Sequence, residues 1–243
     1  MQEKIKELEE EAAKIGLKIN ANKTKCLKVN TKSNTPLQLQ SSTIEDVPQF
    51  NYLGSIVAND GGTKQDIEHR LSKARSTFNR LWHVWRSPYL ARSTKVKIFN
   101  ACVKSTLLYG CETWHIDASY INKIQVYINK CLRIICKVFW PIIITNEELW
   151  AITEQKPICT TIKERKWRWL GHTLQKTNNT ISKQALEWNP QGKRRVGRPR
   201  NTWRRTILKE VESSGKTWSE VKYLAQNRVR FRGYVEALCS QRE

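Results

Sequence analysis

From Lys64 to Trp85 the apolar residues Ile67, Leu71, Ala74, Phe78, Leu81 and Trp85 recur at spacings of three and four. That period gathers them on one side of an α-helix and would scatter them over both faces of a strand. Arg70, Lys73, Arg75 and Arg80 fill other faces, so the pattern predicts an amphipathic, basic helix. Such a helix draws its stability from whatever covers its apolar stripe, and the next segments supply candidates. A second helix is predicted from Ser93, as N-cap, through Val96, Phe99, Val103 and Leu107 to Trp114, and a third from Ile121 through Ile124, Ile128, Leu132 and Ile135. Together they imply a helical bundle.

The residues ahead of the bundle read differently. "MQEKIKELEEEAAKIG" is a charged helix ending at Gly16, without the apolar core of a secretory signal. "TKCLKVN" and "TPLQLQ" alternate apolar and polar residues as short strands do, and "QFNYLGSIVANDGG" adds a third β-rich run ending in the Asp60-Gly61-Gly62 turn. Pro141 closes the bundle, and Pro157 opens "ICTTIKERKWRWLGHTLQK", in which Gly171 is a candidate break. Residues 189–201 hold two prolines and two glycines and read as an exposed loop; "NTWRRTILKEVESSG" and "TWSEVKYLAQNRVRFRGYVEALC" follow as helices capped at Thr202 and Thr217. The expected class is mostly α with a small N-terminal β element (α+β), divided as 1–62, 63–140 and 141–243.

Charge narrows function. The 243 residues carry 43 Lys plus Arg against 22 Asp plus Glu, a formal charge of +21, so polyanions are the natural partners. The longest apolar run, "VFWPIII", is far short of the roughly 18 residues that span a bilayer, so no membrane partner is expected. Seven cysteines, scattered and several in apolar settings such as "KCLRIICKVF", fit small hydrophobes in a reducing nuclear or cytoplasmic compartment. Cys131 and Cys136 have no second close pair, and His115 and His172 lie far off in sequence, so no metal site is expected. Asn22 and Asn178 begin N-x-[ST] matches that matter only in a secreted protein.

Several blocks, in order, resemble the C-terminal part of the endonuclease–reverse transcriptase of non-LTR (LINE-type) retrotransposons: "GLKINANKTK", "FNYLGSIV", "LLYGCETW", "RWLGH", "NPQGKRRVGRPRNTW" and "AQNRVRFRGYVEALC". The resemblance covers almost the whole chain. It implies a palm remnant with a primer-grip-like hairpin over 1–62, a helical thumb-like bundle over 63–140, and a basic helical tail over 141–243. The family's polymerase site is an aromatic-Ala-Asp-Asp turn whose carboxylates hold two metal ions. No Asp-Asp pair occurs in this sequence, and by the resemblance that turn lies upstream of Met1. Glu45, Asp46 and Asp60 sit among turn residues and offer no replacement. The expectation is a fragment that binds RNA and DNA, as template–primer or target duplex, without catalytic residues of its own; magnesium would belong to the palm site it lacks.

Particular residues carry that expectation. By the resemblance, Lys23 and Lys25 stand beside a nucleotide site, with strand-edge lysines as the plain alternative, and Tyr52 and Gly54 shape the primer-grip hairpin, with Tyr52 in a core as the alternative. Arg70, Lys73 and Arg75 offer phosphate contacts from a helix face, whereas Trp82, Trp85, Trp114 and Trp150 read as packing. In "KERKWRWLGH", Lys163, Arg165, Lys166 and Arg168 alternate with indoles, the mixture that holds phosphates and stacks bases; helical spacing sends Trp169 to the core and leaves Trp167 for stacking, with His172 a structural hydrogen-bond partner. "GKRRVGRPRNTWRR" contributes Lys193, Arg194, Arg195, Arg198, Arg200, Arg204 and Arg205. Its Gly-Arg-Pro-Arg approximates an AT-hook, in which arginine enters a narrow minor groove, though Val196 stands where a hook has arginine. A nuclear localisation signal has the same look. An independent nuclear DNA-binding protein using this loop, and a decayed element without a selected role, remain alternative readings.

Overall fold

The computed structural model describes residues 1–29, 31, 35–40, 42–188 and 201–240, and the expected basic loop lies almost wholly outside them. The described chain is mostly helical with small sheets near its N-terminus, as its periodicities imply. Contacts divide it into two units, Met1–Arg70 and Leu71–Glu243.

The first unit opens with α1 (Gln2–Lys14), which ends as Gly16 turns left-handed at φ 73° and the Leu17 amide bonds back to Ala12. The Gln2 side chain docks α1 on β2 (Gln38–Leu39), donating to the Gln38 carbonyl at 2.7 Å and accepting its amide at 2.9 Å. The two alternating segments yield only two-residue strands: β1 (Lys25–Cys26) runs parallel to β4 (Glu45–Asp46), and β2 is antiparallel to β3 (Ser42–Thr43). Few apolar anchors are available to hold more, since Leu39 and Ile44 are the buried hydrophobes of this stretch. The third run makes a full hairpin, β5 (Gln49–Tyr52) with β6 (Ser55–Ala58), in which Tyr52 pairs with Ser55. Leu53 and Gly54 form its two-residue turn with φ of 50° and 84°, the left-handed pair that matches hairpin twist.

The long predicted helix is two. α2 (Lys64–Arg80) stops at Leu81 and α3 (Trp82–Arg86) follows. The Phe78 carbonyl, which would continue the ladder, instead takes the Leu81 amide and the Trp85 indole N–H, and Trp85 stacks on Phe78 at 5.0 Å. Lys95, buried, donates to the Trp85 and Ser87 carbonyls at 3.0 and 2.6 Å and so satisfies the end of α3.

The second predicted helix begins at α4 (Arg92–Ile98), passes through a π turn (Phe99–Lys104) and ends in α5 (Ser105–Leu107) and a 3-10 turn (Cys111–Thr113). Its N-cap is Ala91, not Ser93. Phe99, Val103 and Leu107 stand four apart, and the wider turn keeps all three buried on one line. α6 (Ala118–Cys136) buries Ile124, Ile128, Leu132 and Ile135 as its period requires.

α7 (Asn146–Thr153), not anticipated, starts at a reciprocal capping box between Thr145 and Glu148. α8 (Ile158–Gln175) runs unbroken through Gly171, where a Cβ would stand 2.3 Å from the Phe231 ring. α9 (Ile181–Glu187), α10 (Trp203–Ser213), α11 (Trp218–Ala225) and α12 (Arg228–Ser240) complete the chain, and Thr202 and Thr217 cap as expected. The last predicted helix divides at Asn227, whose side chain accepts the amides of Val229 and Arg230. Trp167, Leu170 and Leu174 of α8 pack with Ile207, Val221, Phe231 and Val235 into the C-terminal core.

Candidate nucleic-acid interface

Three groups of basic and aromatic side chains bear on phosphate contact. In the first unit, Lys23 is exposed, its amide bonded to Asn20, while Lys25 pairs across the parallel strands with Glu45. Tyr52 is exposed, so its core alternative does not hold; Gly54 makes the hairpin turn. Arg70 corrects the reading of a phosphate-facing helix side. It is 5% exposed, with Nη2 on the Ser55 hydroxyl at 2.9 Å and Nε 3.8 Å from Asp66. Asp66 in turn accepts the Ile56 amide at 2.9 Å. This charged pair braces the hairpin from α2, and burying an arginine here requires that partner.

The second set is on α8, where carboxylates answer most of the cations. Arg165 lies 3.7 Å from Glu112 and Arg168 lies 3.8 Å from Glu164, while Lys166, 7% exposed, pairs with Glu210. Lys163 is half-buried. Trp167, expected to stack on a base, is instead fully buried with its N–H on Glu210, while Trp169, expected at the core, packs against it partly covered and meets Trp203 edge to face at 6.0 Å. Helical spacing places Trp167 on the same side as Leu170 and Leu174, with which it is buried, and Glu210 accepts from both its N–H and the Lys166 ammonium. Burial, then the Arg165 charge, lowers the pKa of nearby Lys104, which donates to Gln155 at 2.9 Å. His172 is exposed. Much of the basic, indole-rich α8 is therefore committed to holding the second unit together.

The third set is a groove between α2–α3 and α6, with a volume of about 540 Å³. Arg75, Asn79 and Trp82 recur at helical spacing along one wall; Lys123, Val126, Tyr127, Lys130 and Ile134 do so along the other. Phe78 and Cys131 are buried beneath. Trp82, expected as packing, is 44% exposed because it falls beside the apolar stripe, one residue beyond Leu81. Arg86 lies over its ring at 5.7 Å, and Arg75 lies over Tyr127 at 5.9 Å. Among the described residues no acidic side chain lines this groove, and Arg75, Arg86 and Lys130 form no ion pair. Tyr127 is 9% exposed, and its hydroxyl makes no hydrogen bond of good geometry. Burial, with the adjacent Cys131 thiol adding to it, pushes the Tyr127 phenol up; burial likewise takes Cys131 to about 12. Both stay protonated at neutral pH.

Of these groove residues the sequence singled out Arg75 alone for binding; Lys73, its neighbour in that reading, is half-buried. Lys123, Lys130 and Tyr127 were legible in principle as a basic-aromatic face of α6. Arg204 and Arg205 are exposed at the start of α10, the former with Nη1 3.4 Å from the Glu187 carbonyl. Lys193, Arg194, Arg195, Arg198 and Arg200 lie outside the described residues. Among the described residues no group of three or more His, Cys, Asp or Glu side chains is placed to hold a metal, and no helix is long and apolar enough to cross a membrane.

Residues 77–109 match a protein family described as Domain of unknown function (DUF6451). That segment begins in the last turn of α2 and includes Phe78, Asn79 and Trp82 of the groove. Over 216 residues, 85% of this chain and 77% of the relative, the chain is 24% identical to an uncharacterized transposon-derived protein of Caenorhabditis elegans. No solved structure matches. The chain is thus similar, at a distance, to a protein of transposon origin.

Proposed function

We propose that this chain is of transposon origin, derives from the C-terminal part of a non-LTR reverse transcriptase, and binds RNA and DNA without polymerising them itself. The observation that carries the binding reading is the groove between α2–α3 and α6, whose charged lining is entirely cationic among the described residues. The formal charge of +21 supports it at the scale of the whole chain. The distant transposon-derived relative supports the origin, and the ordered blocks from "GLKINANKTK" to "AQNRVRFRGYVEALC" support the kind of element. With no Asp-Asp pair in the sequence, two-metal phosphoryl chemistry is not assigned to these residues. A nuclear or cytoplasmic reducing compartment accords with seven free cysteines.

Binding of this kind is dominated by release of counterions from phosphates. If about six phosphates are neutralised, the affinity of the full chain for a duplex falls with a log–log salt slope near −5, at about −0.9 per phosphate. Fluorescence anisotropy on a labelled oligonucleotide across a salt series measures it. A flat dependence overturns the reading.

A further inference from the structure

Resting on the nucleic-acid reading above, we infer that the groove between α2–α3 and α6 is a binding site for an unpaired nucleotide, the base lying against Trp82 and Tyr127 and its phosphates against Arg75, Lys123 and Lys130. The chemistry of the lining selects this occupant. Phe78, Val126 and Ile134 make the groove apolar within, while each charged residue lining it is a cation. A flat, weakly polar base joined to an anionic phosphate is complementary to both parts. Duplex nucleic acid presents phosphates and keeps the faces of its bases stacked inside, so it has no use for an indole set in a groove. The volume of about 540 Å³ suits one nucleotide with part of its neighbour.

Two details sharpen the assignment. Each ring is covered by a guanidinium, Arg86 over Trp82 and Arg75 over Tyr127. These arginines hold the place of the base: when a base stacks on Trp82, Arg86 turns from the ring to phosphate, so that cation–π contact is exchanged for stacking plus charge. The Tyr127 hydroxyl, fully covered beside the Cys131 thiol, stays protonated and adds no negative charge to the groove. The site is tolerant of sequence because every base has a face to stack.

The test compares a single-stranded oligonucleotide with a blunt duplex on the full chain. Trp82→Ala is expected to weaken single-strand binding by about ten- to a hundredfold, the loss of one base stack. Duplex binding and both salt slopes should hold, because no charge is removed. Val126→Glu, at an exposed position that need not disturb folding, places a carboxylate in the groove and should weaken single-strand binding as well. Trp140→Ala, at an indole 84% exposed and not part of the groove lining, is the control and should change neither. A 5-iodouracil oligonucleotide should photocross-link to Trp82 or Tyr127. If Trp82→Ala and Val126→Glu bind single strands as the parent does, the groove assignment is overturned while the broader reading stands. If an acidic amphipathic helical peptide competes and single strands do not, a protein partner replaces the nucleotide. If the parent binds neither strand nor duplex, the broader reading falls with it.

Discussion

Two glycines on neighbouring helices show how little a residue type says without its surroundings. Gly171, inside α8, faces the Phe231 ring so closely that a Cβ would stand 2.3 Å from it, whereas a Cβ at Gly233 of α12 would meet nothing within 4 Å. Both are mid-helix, and both cost helix propensity relative to alanine. Gly171→Ala should therefore destabilise by about 1–3 kcal/mol, the usual cost of overpacking, whereas Gly233→Ala should stabilise by about 0.4–1 kcal/mol by restricting the unfolded chain. Urea midpoints at unchanged m-values measure both; two effects of the same sign would refute the packing assignment. Glu210 poses the complementary case, a carboxylate holding both Lys166 and the Trp167 indole. Glu210→Ala leaves a nearly buried ammonium without its partner and should cost about 3 kcal/mol.

At the scale of the element, legibility followed the strength of the local signal. α6 was readable because Ile124, Ile128, Leu132 and Ile135 repeat at one period, whereas the hairpin was implied only by the resemblance, since spacing read one β-rich run straight through Leu53-Gly54. The break after α2 was not readable, since it depends on the Trp85 indole claiming a backbone carbonyl, and neither was the π turn, since a spacing of four fits an ordinary helix nearly as well. Asn227 could have been read as a cap but was absorbed into the apolar period of its flanks. In the candidate site, composition revealed the cations but not which of them are answered by carboxylates from distant elements, as Lys166 is by Glu210. Asn227→Ala should cost about 1 kcal/mol, the usual loss of an N-cap. The capping boxes add a pH signature. Hydrogen bonds first from the Thr145 and Thr217 amides, then from their hydroxyls, hold Glu148 and Glu220 below the ordinary 4.5. A carboxylate lowered in the folded state stabilises above its unfolded pKa and loses that contribution as pH falls through the folded value. The stability of α7 and α11 should therefore be level above pH 4.5 and decline below it. Glu220→Gln, which keeps a weaker box without the charge, should flatten part of that decline in acid titrations followed by circular dichroism.

Across the whole molecule the question is how a charge of +21 divides between folding and binding. Cations already facing carboxylates, such as Arg70, Arg165 and Lys166, carry little uncompensated field. Those on the groove rim with no acidic neighbour in its lining, Arg75 and Lys130 among them, retain theirs. Affinity for nucleic acid scales with the phosphates that a cation actually neutralises, each worth a slope in log affinity against log salt of about −0.9 on a duplex and about −0.7 on a single strand. Stability scales instead with the internal partners that a substitution strands. The two measurements should therefore separate the cations into two groups. Arg75→Gln and Lys130→Gln together should make the single-strand salt slope shallower by about 1.4, at about 0.7 per phosphate, and leave the thermal midpoint nearly unchanged, because both side chains are exposed. Lys166→Met should leave the slope as it is and shift the midpoint, because its effect is confined to the carboxylate of Glu210 and the packing around it. Were the slope to fall equally for both sets, binding would follow total charge alone. The arrangement of carboxylates over α8 would then have no bearing on where nucleic acid lies.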